Sequence, residues 1–271
     1  MNKSPELDAR SLALRRMAVR TLAAGGRGHL GPALSLIEIL RTLYDHVLRY
    51  DAKNPMWEGR DRFILSKGHG CVALYVMLVD KGFMPEEELW KFCKFDGMLG
   101  GHPERGTPGI EFSTGSLGHG LPVGVGMAID AKRKKLDHRV YVTMGDGELN
   151  EGSVWEAAMC AAKHKLNNLT VMVDYNKSQA YGSTFEVLDL EPLADKWASF
   201  GFTVAEVDGH DMEALKRELS PRPCVGEKPR AVICHTIKGK GAAFAENNME
   251  WHHRNKIDEN EVRRLMEAFG G

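Results

Sequence analysis

The sequence predicts an α/β fold, a mostly parallel sheet with helices on both faces, and three observations carry that expectation. The stretch from Val140 to Asn176 reads strand, glycine turn, helix, strand, which is one βαβ unit. Three further short apolar runs, Phe63 to Leu65, Phe202 to Val207 and Ala231 to Cys234, have the length of buried strands. Each is followed by a turn rich in glycine, and the first two of those turns lead into a helical pattern. A chain of 271 residues with 43% hydrophobic content has room for one large core of this kind or two small ones.

From the N-terminus, Leu14, Met17, Ala18, Thr21 and Leu22 recur at helical spacing, so residues 7–24 are expected to be a helix stopped by Gly25-Gly26. The loop Gly28-His29-Leu30-Gly31-Pro32 follows. Ser35 with Glu38 three residues on reads as a capping box opening a second helix, with Leu36, Leu40, Leu43 and Val47 on its buried face. Residues 51–60 are a polar connector. The strand at 63–65 runs into Ser66-Lys67-Gly68-His69-Gly70 and an apolar helix from Cys71 to Val79. His69 thus stands at a strand-to-helix turn, where open α/β sheets bind ligands. Pro85 begins a short acidic helix, Gly100-Gly101-His102-Pro103-Glu104 is a loop, and Ser113 to Leu121 is a glycine-rich turn leading into a helix through Ile129.

In the central unit, Val140 to Met144 is the first strand, and Trp155, Met159, Ala162 and Leu166 form one face of the helix. Leu169 to Val173 is the second strand. Asp146 leaves the end of the first strand and Asn176 lies just past the end of the second. Parallel strands open their carboxyl ends on one side, so two hard oxygen ligands meet beside a helix N-terminus. Oxygen ligands suit magnesium or calcium, and glycine amides at a helix start suit a phosphate. A metal-bound diphosphate satisfies both. Past Asn176, residues 179–191 are expected as loop, Leu193 to Phe200 as helix and Asp211 as the cap of another. Residues 220–229 read as a Pro-rich linker, and Gly239 to Trp251 as a mobile loop. Asp258 with Glu261 caps a closing helix.

Composition excludes several classes of partner. A net charge of −1 gives no electrostatic case for nucleic acid or a membrane surface. No apolar run reaches the ~18 residues of a membrane span, and the polar N-terminus is not a signal peptide. Five cysteines, at 71, 93, 160, 224 and 234, show no CxxC spacing, which argues for reduced thiols in a cytoplasmic protein.

The run GDGELNEG followed by VDYN resembles the thiamine diphosphate motif, and SKGHG, GGHPE, SLGHG and TIKGKG resemble segments of the transketolase family. The resemblance spans almost the whole chain, as a single diphosphate-binding domain over 1–271, but only that part of a transketolase. It implies that Asp146, the Asn176 side chain and the Ser178 carbonyl hold Mg²⁺ (or Ca²⁺). It further implies that His69, Gly115, Ser116, Leu117, Gly145, Gly147, Glu151 and His252 bind the cofactor, and that His29, His102 and His252 face the reaction. His253 stands where the family often has glycine. The implied activity moves a two-carbon ketol unit from a ketose phosphate to an aldose phosphate. The resemblance also implies a C-terminal partner subunit carrying the missing pyrimidine-binding domain, in a heterotetramer. Two other readings stay open. One is a deoxyxylulose phosphate synthase-like or 2-oxoacid dehydrogenase-like subunit, and the other is an inactive scaffold.

Overall fold

A computed structural model describes residues 6–221, 226–254 and 256–271. In chain order the elements are α1 (Ala9–Gly25), α2 (Leu30–Leu34), α3 (Ile37–Thr42), β1 (Arg62–Leu65), α4 (Cys71–Asp80), α5 (Gly120–Arg133), β2 (Val140–Gly145) and α6 (Gly152–Lys163). They continue with β3 (Leu169–Tyr175), α7 (Thr184–Val187), α8 (Leu193–Ser199), β4 (Thr203–Asp208), α9 (Met212–Leu219), β5 (Arg230–His235) and α10 (Glu259–Ala268). The five strands form one sheet in the order β1-β2-β3-β5-β4, and every pairing is parallel. The sheet is therefore wholly parallel among the described strands. All carboxyl ends open on one edge.

Strand alternation divides the core into two layers. Phe63, Tyr141, Met172, Val232 and Cys234 pack toward α1, α3, α4 and α9. Ile64, Val142, Val171, Val173 and Ile233 pack toward α5, α6 and α8. A sheet covered on both faces needs strands apolar at every position, which is why these runs read as continuous rather than alternating. Helix α4 is apolar nearly all round, and Cys71 to Leu78 are all buried.

Several sequence expectations are corrected. Ser35 does not cap a helix. It lies in the turn between α2 and α3 with helical φ/ψ, and its hydroxyl donates to Asp174 Oδ2 at 2.6 Å. Glu38 is not a capping acid either, but a buried carboxylate bonded to Arg15 and His210. The buried face of α6 is Val154, Ala157, Ala158 and Ala161, one position round from the expected stripe. Close packing on α5 and the sheet favours the small residues. Trp155 is displaced to the rim, against Trp197 and Phe200, and Met159 faces solvent. The expected loop 179–191 holds the one-turn α7, with Ser183 and Glu186 as its capping box, too short to show a period. The segment expected as a mobile loop before Trp251 is a series of turns in which Ala242, Ala245 and Trp251 are buried. Asp8, Asp211 and Asp258 cap α1, α9 and α10. Cys224 and the middle of the expected linker, residues 222–225, lie outside the described residues.

Candidate active site

A cavity of about 510 Å³ opens at the carboxyl edge of the sheet above β2 and β3. Residues distant in sequence meet there because the strand ends are in register, Gly145 beside Asp174. Asp146 caps the turn after β2. Its Oδ1 accepts from the Gly147 N–H at 2.7 Å and its Oδ2 from the Lys177 N–H at 2.5 Å, so it already spans the two strand ends. Asn176 Oδ1 accepts from the Ser178 N–H at 3.2 Å. Asp146, Asn176 and Ser178 all line the cavity. The Gly147 N–H, expected to face a diphosphate, here bonds the neighbouring carboxylate. Burial and the nearby Asp174 charge push the Asp146 carboxyl up to about 6. A divalent cation at that carboxylate would reverse the shift.

Four imidazoles come from four separate loops. The His29 ring lies 5.4 Å from that of His69, 6.4 Å from His102 and 5.6 Å from His252, centroid to centroid. His69 and His252 stack at 5.9 Å. Burial, then the neighbouring imidazoles, lower His29 to about 3. Burial, then Lys238, lower His252 to about 4. His69 is held well below its usual range by burial and Lys67, and His102 below it by burial. The cluster is therefore neutral at neutral pH, and each ring can offer one N–H donor and one acceptor.

Two of the expected site residues stand back from the cavity. The Ser116 hydroxyl turns to the His119 ring at 3.3 Å, and Gly145 sits beneath the turn with its N–H on Glu148. Gly115 and Leu117 line the wall, and Glu151 lies at its edge as the residue preceding α6. Gly115 has φ +151°, and a Cβ there would come within 3.3 Å of the His102 ring. Its lack of a side chain lets that loop and the His102 loop close on each other.

Sequence reading missed the charged residues that hold these loops. Lys67 and Asp174 form a fully buried ion pair, and Asp174 also accepts from the Ser35 and Thr236 hydroxyls. Burial alone would raise Asp174, but the Lys67 ammonium and these bonds outweigh it and hold the carboxyl below its ordinary range. Glu148, also buried, accepts from the Ser66 hydroxyl and from the Gly118 N–H at 2.8 Å, joining three loops. Lys238 is buried, with Nζ 3.0 Å from the Ser178 carbonyl and 3.2 Å from its hydroxyl. Burial and Lys67 pull its ammonium down to about 8.

Some polar atoms of the cavity wall are left without a partner. His252 Nδ1, Asn150 Oδ1 and Gln179 Nε2 are buried, have no partner among the described residues, and belong to residues that line the cavity. A carboxylate, a carboxamide and a carbonyl supply hard oxygen donors, and the Lys238 ammonium lies within bonding distance of one of them. That donor set fits a metal-bound diphosphate.

The sequence profile described as "Transketolase, thiamine diphosphate binding domain" matches residues 8–271. The chain belongs to the transketolase family. Thiamine diphosphate is the cofactor of that domain. Among curated relatives, an apulose-4-phosphate transketolase subunit from Phocaeicola vulgatus is 43% identical over 91% of this chain and 88% of its own. The 6-deoxy-6-sulfo-D-fructose transketolase subunit SqwG of a Clostridium species is 40% identical over 94% and 93%. The solved transketolase of Campylobacter jejuni superposes with a TM-score of 0.89 at 32% identity over 97% of this chain. This transketolase-family chain spans only 42% of that structure's length, whereas it spans most of the relatives that are named as subunits.

Proposed function

We propose that this chain, as a single domain over 1–271, is the diphosphate-holding subunit of a two-subunit transketolase. It would transfer a two-carbon ketol unit from a ketose phosphate to an aldose phosphate. The observation that carries the reading is the convergence of Asp146, Asn176, Ser178, Lys238 and four imidazoles on one cavity at the sheet edge. Asp146, the Asn176 carboxamide and the Ser178 carbonyl would hold Mg²⁺ or Ca²⁺, and Lys238 and His252 the diphosphate oxygens. Gly115 and Leu117 would pack against the cofactor. When bound, thiamine diphosphate supplies the nucleophilic carbon and the electron sink. The chain's own part is proton handling. His29, His69, His102 and His252 are neutral and can accept a proton from a ketose hydroxyl or hydrogen-bond its carbonyl oxygen.

The partner would be a C-terminal transketolase subunit carrying the pyrimidine-binding domain, with two copies of each chain in the assembly. The relatives named as subunits, each matched over most of its own length, support that division. The four described cysteines are free, as a reducing cytoplasm would leave them. The test is reconstitution with the candidate partner, assaying ketol transfer with thiamine diphosphate and Mg²⁺. Turnover should require both chains, cofactor and metal. Robust turnover by this chain alone, or none by the pair with any ketose donor, would refute the reading.

A further inference from the structure

His253 lies just outside the four-imidazole cluster and is not among the residues that line the cavity. Its ring is 4.4 Å from that of His29, the shortest centroid separation among the histidine pairs here, and its side chain is exposed. The backbone explains the contact. Gly28 and Arg254 form an antiparallel bridge, with N–H to carbonyl distances of 2.9 Å and 2.8 Å in the two directions. In such a ladder the next pair, His29 and His253, stands opposite with side chains on the same face. Trp251 is buried behind, and a Cβ on Gly31 would come within 3.0 Å of its carbonyl, so the two segments are closely packed. His253 is thus held in place by main chain on both sides, while its imidazole faces outward from a ring that lines the cavity.

We propose that His253 is a specificity-determining residue that contacts the distal end of the sugar, its far hydroxyls or its terminal phosphate. This rests on the transketolase reading above. The cavity's inner wall is occupied by the metal and diphosphate ligands, so the reacting carbons must lie near His29, His69, His102 and His252. A substrate longer than two or three carbons then extends past His29 toward the exposed side, where His253 offers polar nitrogens. The two side chains that flank it in sequence are committed elsewhere. Arg254 is turned to Glu261 and stacks over Trp251, and the unpaired Nδ1 of His252 is buried.

The experiment uses the reconstituted two-chain complex with one ketose donor and three acceptors: glycolaldehyde, D-erythrose and D-erythrose 4-phosphate. Wild type is compared with His253→Gly and His253→Gln. Loss of one hydrogen bond to the sugar should lower kcat/KM for the long acceptors about tenfold relative to glycolaldehyde, chiefly through KM. Glutamine, which keeps a donor and an acceptor, should restore part of the ratio. A loss with both erythroses assigns the contact to hydroxyls, and a loss with the phosphate alone assigns it to phosphate. An unchanged ratio among acceptors, with or without a uniform fall in rate, overturns the inference. An inactive wild-type complex overturns the transketolase reading first and this inference with it.

Discussion

Asp174→Asn should be among the most damaging conservative substitutions in the chain. Asp174 sits at the end of β3 with no exposure, and its partner Lys67 is 1% exposed. Asparagine keeps the shape but has a single carbonyl oxygen, so it can accept from only one of the Ser35 and Thr236 hydroxyls, which bond different oxygens of Asp174, and it loses the charge opposite the Lys67 ammonium. A buried ammonium left without its carboxylate costs roughly 3–5 kcal/mol. The other acceptor within its reach is the Pro32 carbonyl, at 3.4 Å, which offsets little. At ~2–4 °C of melting temperature per kcal/mol for a domain of this size, the expected fall is about 6–20 °C. Thermal and urea unfolding of the isolated chain read it directly, with an unchanged urea slope marking a native-state effect. Lys67→Met should be damaging as well, because it strands the carboxylate. The double variant Lys67→Met/Asp174→Asn should recover part of the loss, since no charge is then left unpaired. A loss below about 1 kcal/mol for Asp174→Asn would place the pair within the range of solvent-exposed ion pairs and refute the buried geometry.

Glu38 is buried, yet Arg15 and His210 hold its carboxyl well below the usual range against the opposing effect of burial. A depressed folded value stabilises above the unfolded carboxyl range, near pH 4.3, and that contribution is lost as pH falls toward the folded value. The stability gap between wild type and Glu38→Gln should therefore be full at pH 6 and shrink below about pH 4 in urea titrations; a gap that widens on acidification contradicts the assignment. Lys238→Met should weaken thiamine diphosphate binding to the two-chain complex about 10- to 100-fold, the worth of a charge-assisted hydrogen bond, as measured by cofactor titration; unchanged affinity removes Lys238 from the diphosphate site. Gly115→Ala should impair function, because both its φ of +151° and the His102 ring oppose a Cβ; steady-state kinetics of the complex should show the loss, and wild-type kinetics would refute the close approach.

The parts of this structure legible in sequence are those written locally. The βαβ unit around Asp146 is readable because short apolar runs and a glycine turn announce parallel strands without reference to anything distant. The meeting of Asp146 and Asn176 follows, since strand ends in a parallel sheet share an edge. The buried charges are not readable in that way. Lys67 and Asp174 are 107 positions apart, and Arg15 and Glu38 are joined through a hydrogen-bond pattern that no periodicity encodes. A signal does exist: an aspartate closing the apolar run Leu169-Thr170-Val171-Met172-Val173-Asp174-Tyr175 is costly to bury unless paired. Glu38 is misread because a serine and a glutamate three apart satisfy a capping rule that does not ask whether the serine is already helical. The face of α6 is misread because hydrophobic spacing ranks residues by size, whereas helix-to-sheet packing here selects the alanines.

Three buried carboxylates account for how residues on separate loops keep one geometry. Glu148 ties the turn after β2 to the loops carrying Ser66 and Gly118. Asp174 ties the ends of β3 and β5 to Lys67 and to the α2–α3 corner. Glu38 receives His210 Nδ1–H at 2.8 Å, which fixes the tautomer so that His210 Nε2 accepts from the Ile237 N–H at 2.9 Å, next to Lys238. His69 and the cavity lysines Lys67 and Lys238 are thus each within three residues of a side chain bonded to one of these carboxylates. Four neutral imidazoles in close contact gain little from one another and lose solvation, so the fold must supply the energy that holds them together. Asp174 and Glu38, both held below the ordinary carboxylate range, accept bonds among the strongest available without a covalent link. Placing them beneath the rim leaves the imidazole nitrogens free for substrate. A site assembled in this way is positioned before anything binds, which is the condition under which proton transfer and orientation contribute most to rate.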